Sequence, residues 1–189
     1  MALTATMHHF QITLSDVDRG VYEALDLRIA RHPSETLRYL VTRTLAYCLS
    51  YEAGISFSKG GLSSAEEAPI SVHDATGVLR AWIDVGSPSA DRLHKASKAA
   101  GRVALFSHVD LSLLLREANS RPIHHLERIE VYRFEPEFLD ALGAKLDKNS
   151  KFELVRTDGQ MYVTIAGETL SGTLSPCSLV ESVNARSNK

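Results

Sequence analysis

The sequence predicts a mixed α/β domain of the α+β kind, in which a sheet with antiparallel and parallel parts is flanked by helices. Apolar and polar residues alternate at both ends of the chain, as they do in half-buried strands. The middle has the order strand, helix, strand, which indicates a parallel crossover. The chain has 189 residues, 44% of them hydrophobic, which is enough for one sizeable core. We therefore expect a single domain over residues 1–175, followed by a polar C-terminal tail over residues 176–189.

The N-terminal part predicts two strands and a long helix. Residues 3–14 and 21–30 alternate well enough to form a pair of strands joined by a turn. His32-Pro33-Ser34-Glu35 then opens a helix that ends near Gly54. Pro33 suits the first helical position, and Glu35 would lie in the first turn, where its charge meets the helix dipole favourably.

The middle and C-terminal parts predict shorter elements in alternation. A loop at 58–64 precedes strands at about 67–73 and 78–86. Pro88 starts a helix that reaches about Ala100, with Ser87 as its N-cap. The remaining predictions are a strand at 103–106, a helix at 110–119, a strand near 129–132, a helix at 135–146 and strands from Phe152 onward.

Composition narrows the functional classes. The formal net charge is -2, so any contact with nucleic acid must come from a local basic patch. The two cysteines, Cys48 and Cys177, are in no CxxC motif and are expected to be reduced thiols. The sequence shows neither a signal peptide nor an apolar run of membrane-spanning length. We therefore expect a cytoplasmic protein that does not bind membranes.

An acidic residue inside the strand at 78–86 raises the main functional question. If Asp74-Ala75-Thr76-Gly77 forms the centre of a hairpin, Ile70 faces Ala81 and Glu67 faces Asp84. This register separates one wholly apolar face from a polar one, and a one-residue slip would mix the two faces. The two carboxylates would then have Cβ atoms about 4.5–5.5 Å apart.

Two like charges at this distance need a positive partner. One candidate is a divalent cation held by oxygen ligands, typically Mg²⁺ or Mn²⁺. The other is a basic side chain from the next helix, where Arg92, Lys95 and Lys98 recur every three residues. In that purely structural alternative, Asp84 pairs with Arg92 or Lys95 and Glu67 is solvated.

Several short motifs together resemble the YaeQ family of small bacterial proteins. They are RHPSET at 31–36, WIDVGSP at 82–88, Arg92 with Lys95-Ala96, and Val103-Ala104-Leu105-Phe106. The likeness extends from about residue 2 to residue 175. That family is similar in fold to the PD-(D/E)XK nuclease superfamily. The resemblance therefore implies a restriction-endonuclease-like core with added β-strands at both ends, and a magnesium-dependent site for nucleic acid.

The resemblance also implies roles for individual residues. Asp84 matches the second acid of the superfamily pattern, Glu67 lies near the first, and together they would hold Mg²⁺ or Mn²⁺. Glu35 resembles an acid that some of these nucleases carry on a helix. Two positions depart from the pattern, because Ile70 and Gly86 stand where an Asp and a Lys are expected.

Basic residues would complete such a site. Lys95 could replace the missing lysine and orient the attacking water, which would make Glu35, Glu67, Asp84 and Lys95 the catalytic residues. Lys59 and Arg92 would hold phosphates.

Two functional hypotheses follow. The first is a magnesium-dependent nuclease-like protein that acts on nucleic-acid phosphodiesters, since a divalent ion activates water and stabilises charge on phosphate. The alternative is a non-catalytic binding or regulatory module that keeps a nuclease-like fold.

Overall fold

The computed structural model describes residues 5–58 and 66–180, and the chain divides into two compact units. The first unit consists of Met1–Tyr51 and Phe134–Ser175, and the second of Glu52–Arg133 and Pro176–Lys189. The described strands are β1 Thr6–Asp16, β2 Val21–Arg31, β3 Ile55–Phe57, β4 Ile70–His73, β5 Leu79–Val85, β6 Arg102–Ser107, β7 Glu130–Phe134, β8 Asn149–Thr157, β9 Gln160–Ile165 and β10 Glu168–Cys177. The described helices are α1 Leu37–Leu49, α2 Ala90–Ala99, α3 Ser112–Ser120 and α4 Pro136–Lys145.

Among its described residues, the first unit contains five strands in the order β2-β1-β8-β9-β10. The β1–β8 pair is parallel, and the other neighbours are antiparallel. Alternate side chains of β1, such as Phe10, Ile12 and Leu14, are buried, as expected for strands with one face against a core. Helix α1 buries apolar residues such as Leu40, Leu45 and Leu49 and packs against α4.

In the part of the second unit that the structure describes, five strands lie in the order β3-β4-β5-β6-β7. The β3–β4 and β4–β5 pairs are antiparallel, whereas the β5–β6 and β6–β7 pairs are parallel. Helix α2 connects β5 to β6, so the predicted crossover is confirmed. The core of this unit includes Trp82, Leu93, Leu105 and Leu179.

The predicted mixed α+β class is confirmed, with mixed sheets and four helices among the described residues. Strand β3 was not predicted. The residues that lie in the expected C-terminal tail include Leu179, which is 3% exposed. The single domain that we expect over residues 1–175 stays a prediction. None of the helices in the described ranges is both long and apolar enough to cross a membrane.

The predicted starts of α1 and α2 lie too early, because in each helix a later residue provides the cap. The hydroxyl of Thr36 accepts a hydrogen bond from Tyr39 N, so α1 begins at Leu37 rather than at Pro33. The prediction that Glu35 lies in the first turn of this helix is therefore wrong. In the same way Ser89, not Ser87, caps α2 by accepting from Arg92 N.

Candidate functional site beside Trp82

The β4–β5 hairpin has a different register from the predicted one. Ile70 lies opposite Ile83 and Ser71 opposite Trp82, with an irregularity between Val72 and His73. The predicted pairing of Glu67 with Asp84 is therefore wrong by two positions, and the continued register brings Asp84 level with Pro69. A shift of two keeps every side chain on its predicted face, but it separates the two acids.

The turn explains the shift. Asp74 N donates to Val78 O at 3.0 Å, so the turn has one more residue than the sequence predicts. The Asp74 carboxylate accepts from the backbone N–H groups of Thr76 and Val78 at 2.9 and 3.0 Å. A hydrogen bond from the Thr76 hydroxyl, together with these backbone bonds, lowers the pKa of Asp74 to about 2. The irregularity beside His73 adds the second position of the shift.

Asp84 is buried, and both donors to it come from its own unit. The carboxylate is 2% exposed. Its Oδ2 accepts from Arg92 Nε at 2.7 Å and from Trp82 Nε1 at 2.9 Å. A buried carboxylate is tolerated when it is paired and hydrogen-bonded. The predicted pairing of Asp84 with Arg92 is therefore confirmed.

Arg92 ties β5 to the segment that precedes β4. While its Nε binds Asp84, its Nη2 donates to the main-chain carbonyl of Glu67 at 2.8 Å. The guanidinium carbon lies 5.3 Å from the centroid of the Trp82 ring, within the range of a cation–π contact. One cation thus joins an acid, a carbonyl and an aromatic ring.

The other predicted charges lie around this cluster. Lys95 Nζ forms an ion pair with Glu66 Oε2, an acid that the sequence analysis did not single out. Glu67 has an exposed side chain and contributes its carbonyl to Arg92. The predicted catalytic role of Lys95 stays a prediction, and Lys59 lies outside the described residues.

A cleft of about 360 Å³ borders the cluster. Its floor includes Ser56, Ser71 and Trp82, which lie side by side on β3, β4 and β5. Glu66 and Glu67 are the acidic residues among its described lining, and no lysine or arginine is included in that described lining. The other lining residues are Phe57, Ser58, Ala68, His73 and Leu79.

Glu35 belongs to the first unit and has its own partners there. It is 3% exposed, and its carboxylate pairs with Arg43 Nη2 at 3.0 Å and accepts from His32 N at 2.7 Å. Burial raises the pKa of Glu35, and the Arg43 charge opposes that rise. These contacts hold the turn before α1.

The donor set beside Trp82 does not fit a divalent cation as it stands. Its buried carboxylate is neutralised by Arg92, and the second expected acid is not opposite it. Across residues 5–58 and 66–180, no three or more His, Cys, Asp or Glu side chains are arranged to hold a metal ion. The predicted metal ligands Glu67 and Asp84 thus both contact Arg92, Asp84 through its carboxylate and Glu67 through its main-chain carbonyl.

Trp82 is a second residue of the site, after Glu66, that the sequence analysis did not single out. Residues two apart on a strand point to the same face, so the WIDVGSP stretch already placed the indole beside Asp84. The indole N–H is a donor that needs a partner when buried. The Trp82–Asp84 hydrogen bond could therefore have been predicted from the sequence.

The family model, the similar sequences and the similar structures all indicate one family. The model of the family described as YaeQ protein matches residues 1–174. The relatives include the Uncharacterized protein YaeQ of Salmonella typhi, 33% identical over 171 residues (90% of this chain and 94% of the relative). The protein of the same name from Escherichia coli (strain K12) is 27% identical over 165 residues, which are 87% of this chain and 91% of that protein.

Two crystal structures of YaeQ proteins have a similar fold. The one from Pseudomonas syringae has a TM-score of 0.83 and 27% identity, and the match covers 92% of this chain and 96% of that one. The one from Xanthomonas axonopodis pv. citri has a TM-score of 0.82 and 26% identity, with coverage of 93% and 99%. Since the family model spans nearly the whole chain and the relatives match over most of their length, the chain belongs to the YaeQ family.

Proposed function

We propose that this protein is a non-catalytic binding module on a nuclease-like core, and that its partner binds in the cleft beside Trp82. The observation that carries the proposal is the contact of Arg92 with both Asp84 and the Glu67 carbonyl. The guanidinium fills the position between these oxygens where a catalytic cation would be needed. A fixed internal cation balances the buried acid without a metal ion.

The order of elements supports a kinship with the PD-(D/E)XK superfamily. The β4–β5 hairpin leads through α2 to the parallel strand β6, and Asp84 is the last residue but one of β5. A hairpin acid followed by a crossover helix is the pattern that the superfamily resemblance implies. This order supports a restriction-endonuclease-like core in the second unit.

The chemistry of the cleft favours an apolar or cationic group of a partner. Its volume of about 360 Å³ is within the range of small-ligand sites. Phe57, Ala68 and Leu79 offer apolar contacts. Glu67 supplies negative charge, and Glu66 adds a carboxylate that is shared with Lys95. Phosphate oxygens would face these carboxylates unfavourably, so we propose a basic side chain flanked by apolar residues as the bound group.

A magnesium-dependent nuclease is the second candidate, and one observation favours it. Because one guanidinium contacts both the Asp84 carboxylate and the Glu67 carbonyl, these two oxygens lie within reach of a single cation. If Arg92 moved away in the presence of nucleic acid, the oxygens would be available to Mg²⁺ or Mn²⁺. The two candidates therefore differ in whether Asp84 gains a metal.

The first experiment compares metal binding and cleavage. Mg²⁺ and Mn²⁺ are titrated calorimetrically into the wild type and Asp84→Asn, and both proteins are incubated with single- and double-stranded DNA and RNA. The binding-module proposal expects equal heats and no cleavage. A saturable heat that Asp84→Asn abolishes, together with metal-dependent cleavage by the wild type, would replace it with the nuclease.

The second experiment uses Trp82, the single tryptophan of the chain, as a reporter of the cleft. We expect a saturable change in its fluorescence with a short peptide that carries lysine between apolar residues, and a smaller one with a matched peptide that carries glutamate. Glu67→Gln should weaken the response. Glu153→Gln, an exposed acid on β8 of the first unit, is the matched control.

If the two peptides bound equally well, or Glu67→Gln had no effect, the assignment of a cationic ligand to this cleft would be wrong.

A further inference from the structure

We propose that two copies of this chain associate edge to edge through β2, which continues the sheet of the first unit across a two-fold axis. Among the described residues, β2 is the terminal strand of that sheet and is 11 residues long. A long open edge is a template for pairing with another strand. This inference concerns the first unit and is independent of the function proposed for the cleft.

The hydrogen-bonding direction of β2 follows from its neighbour. His9 N donates to Lys148 O at 2.7 Å and Val17 N to Arg156 O at 2.8 Å, so the odd-numbered peptide groups of β1 point toward β8. The even-numbered groups of β1 therefore point toward β2. Since Phe10 lies opposite Leu27, the odd-numbered residues of β2 bond to β1.

The even-numbered residues of β2 consequently direct their N–H and C=O groups away from β1. Their side chains also lie on the exposed face, whereas Leu25, Leu27 and Ile29 are buried. These even-numbered residues are Tyr22, Ala24, Asp26, Arg28 and Ala30.

The charges on this edge are self-complementary in one register. With Leu27 of each copy on the axis, Asp26 of one copy lies opposite Arg28 of the other, twice. The alanines at 24 and 30 then face each other and create no steric obstacle. Moving the axis by one residue to Asp26 would bring two aspartates opposite each other, which destabilises a sheet.

The environment of Arg28 supports this register. Across the described residues it forms no ion pair or hydrogen bond, and its neighbour on β1 is His9. Asp26 pairs with His9 Nε2 at 2.8 Å and is still largely exposed. A second copy would supply Arg28 with a carboxylate. In a two-fold interface the same contact forms twice, so Arg28 of each copy would pair with Asp26 of the other.

One contact limits the length of the new ladder. The outward carbonyl of Ala30 accepts from Arg43 Nη2 at 2.7 Å, so at this position an incoming N–H shares the carbonyl with a guanidinium. The N–H and C=O groups of Asp26 and Arg28 remain the centre of the interface.

Sedimentation velocity of the full chain over a concentration series tests the proposal. We expect a dimer for the wild type. Asp26→Arg and Arg28→Asp should each weaken association by about a hundredfold, because each replaces two attractive pairs with repulsive ones. The double swap Asp26→Arg/Arg28→Asp should restore dimers, whereas a mere loss of the His9 contact would not be rescued.

Glu153→Arg is the matched control, since it makes the same charge change on an exposed strand residue away from the edge. A wild type that stays monomeric at every concentration would overturn the proposal. So would a dimer that both single reversals leave intact, or a double swap that stays monomeric.

Cross-linking tests the register itself. In a Cys177→Ser background, Ala24→Cys mixed with Ala30→Cys should be joined by a short bismaleimide. Either variant alone should not, because identical positions would be about 20 Å apart in this register. Efficient cross-linking of Ala24→Cys alone would show a different interface and overturn the assignment.

Discussion

At the scale of single residues, the structure shows how a buried acid selects its partner. A carboxylate in a strand predicts a compensating group, and the sequence offered Arg92, Lys95 or a metal ion. Arg92 pairs with Asp84 because its planar fork reaches the acid and the Glu67 carbonyl together, which a lysine ammonium cannot do as well. That choice depends on the hairpin register, for which the prediction from the sequence was wrong by two positions.

Asp84→Asn should lower the free energy of unfolding by about 3 kcal/mol, since it leaves the Arg92 guanidinium without its counter-charge in a mostly buried position. Urea unfolding followed by far-UV circular dichroism measures the loss. Asp140→Asn, which breaks an exposed pair with Arg38, should change stability little. Equal effects of the two variants would show that the Asp84–Arg92 pair is no stronger than a surface pair.

Glu35 should make stability depend on pH. Burial raises the pKa of Glu35 above its ordinary value of 4.5, so the folded protein keeps a proton that the unfolded chain has already released. The associated stability is present below the unfolded pKa and is lost as pH rises through the folded pKa.

The comparison of wild type with Glu35→Gln isolates this effect. The wild type should lose stability relative to the variant as pH rises above about 4.5, as measured by urea unfolding at each pH. The opposite trend would mean that the Arg43 charge outweighs burial.

At the scale of elements, type and order were predictable but boundaries and pairing were not. Periodicity placed the predicted helices and most strands, while the three residues of β3 are too few to show a period. Helix starts depend on which hydroxyl makes the cap, and Thr36 and Ser89 do so. The hairpin shift arises from the Asp74 turn and the adjacent irregularity. Because side chains alternate between the two faces with a period of two, a shift of two positions leaves the apolar and polar faces unchanged and cannot be detected from the sequence pattern.

The contact of α4 with β10 depends on Gly172. A Cβ at this position would lie 2.5 Å from Cγ of Phe138, whose ring is buried. Gly172→Ala should therefore cost about 2 kcal/mol of unfolding free energy by overpacking, measured by urea denaturation. Gly101→Ala, where the nearest atom is 3.9 Å away, is the control. A neutral Gly172→Ala would show that the Phe138 ring moves aside at little cost.

At the scale of the whole molecule, the family and the α+β class followed from motif order and strand–helix alternation. The division into two units did not, because the first unit combines residues 1–51 with 134–175. Residue patterns repeat over neighbouring positions of the chain and carry no information about such distant pairings. The net charge, by contrast, is a whole-chain property that supports a direct expectation.

With a formal net charge of -2, the protein should bind random duplex DNA no more tightly than about 10⁻⁴ M at physiological salt. Fluorescence anisotropy of a labelled duplex at several salt concentrations measures this. Micromolar binding with a steep salt dependence would reveal phosphate contacts and favour the nuclease over the binding module.

The interleaving of the two units has a consequence for synthesis on the ribosome. Strand β1 pairs on one side with its immediate neighbour β2 but on the other with β8, whose paired residues begin at Asn149. While translation proceeds, the segment 52–133 emerges whole before β8 exists. We therefore expect the middle of the nascent chain to begin folding first, and its core to be completed only when the C-terminal residues around Leu179 are made. Until β8 is made, one side of the N-terminal hairpin stays unpaired and accessible to chaperones.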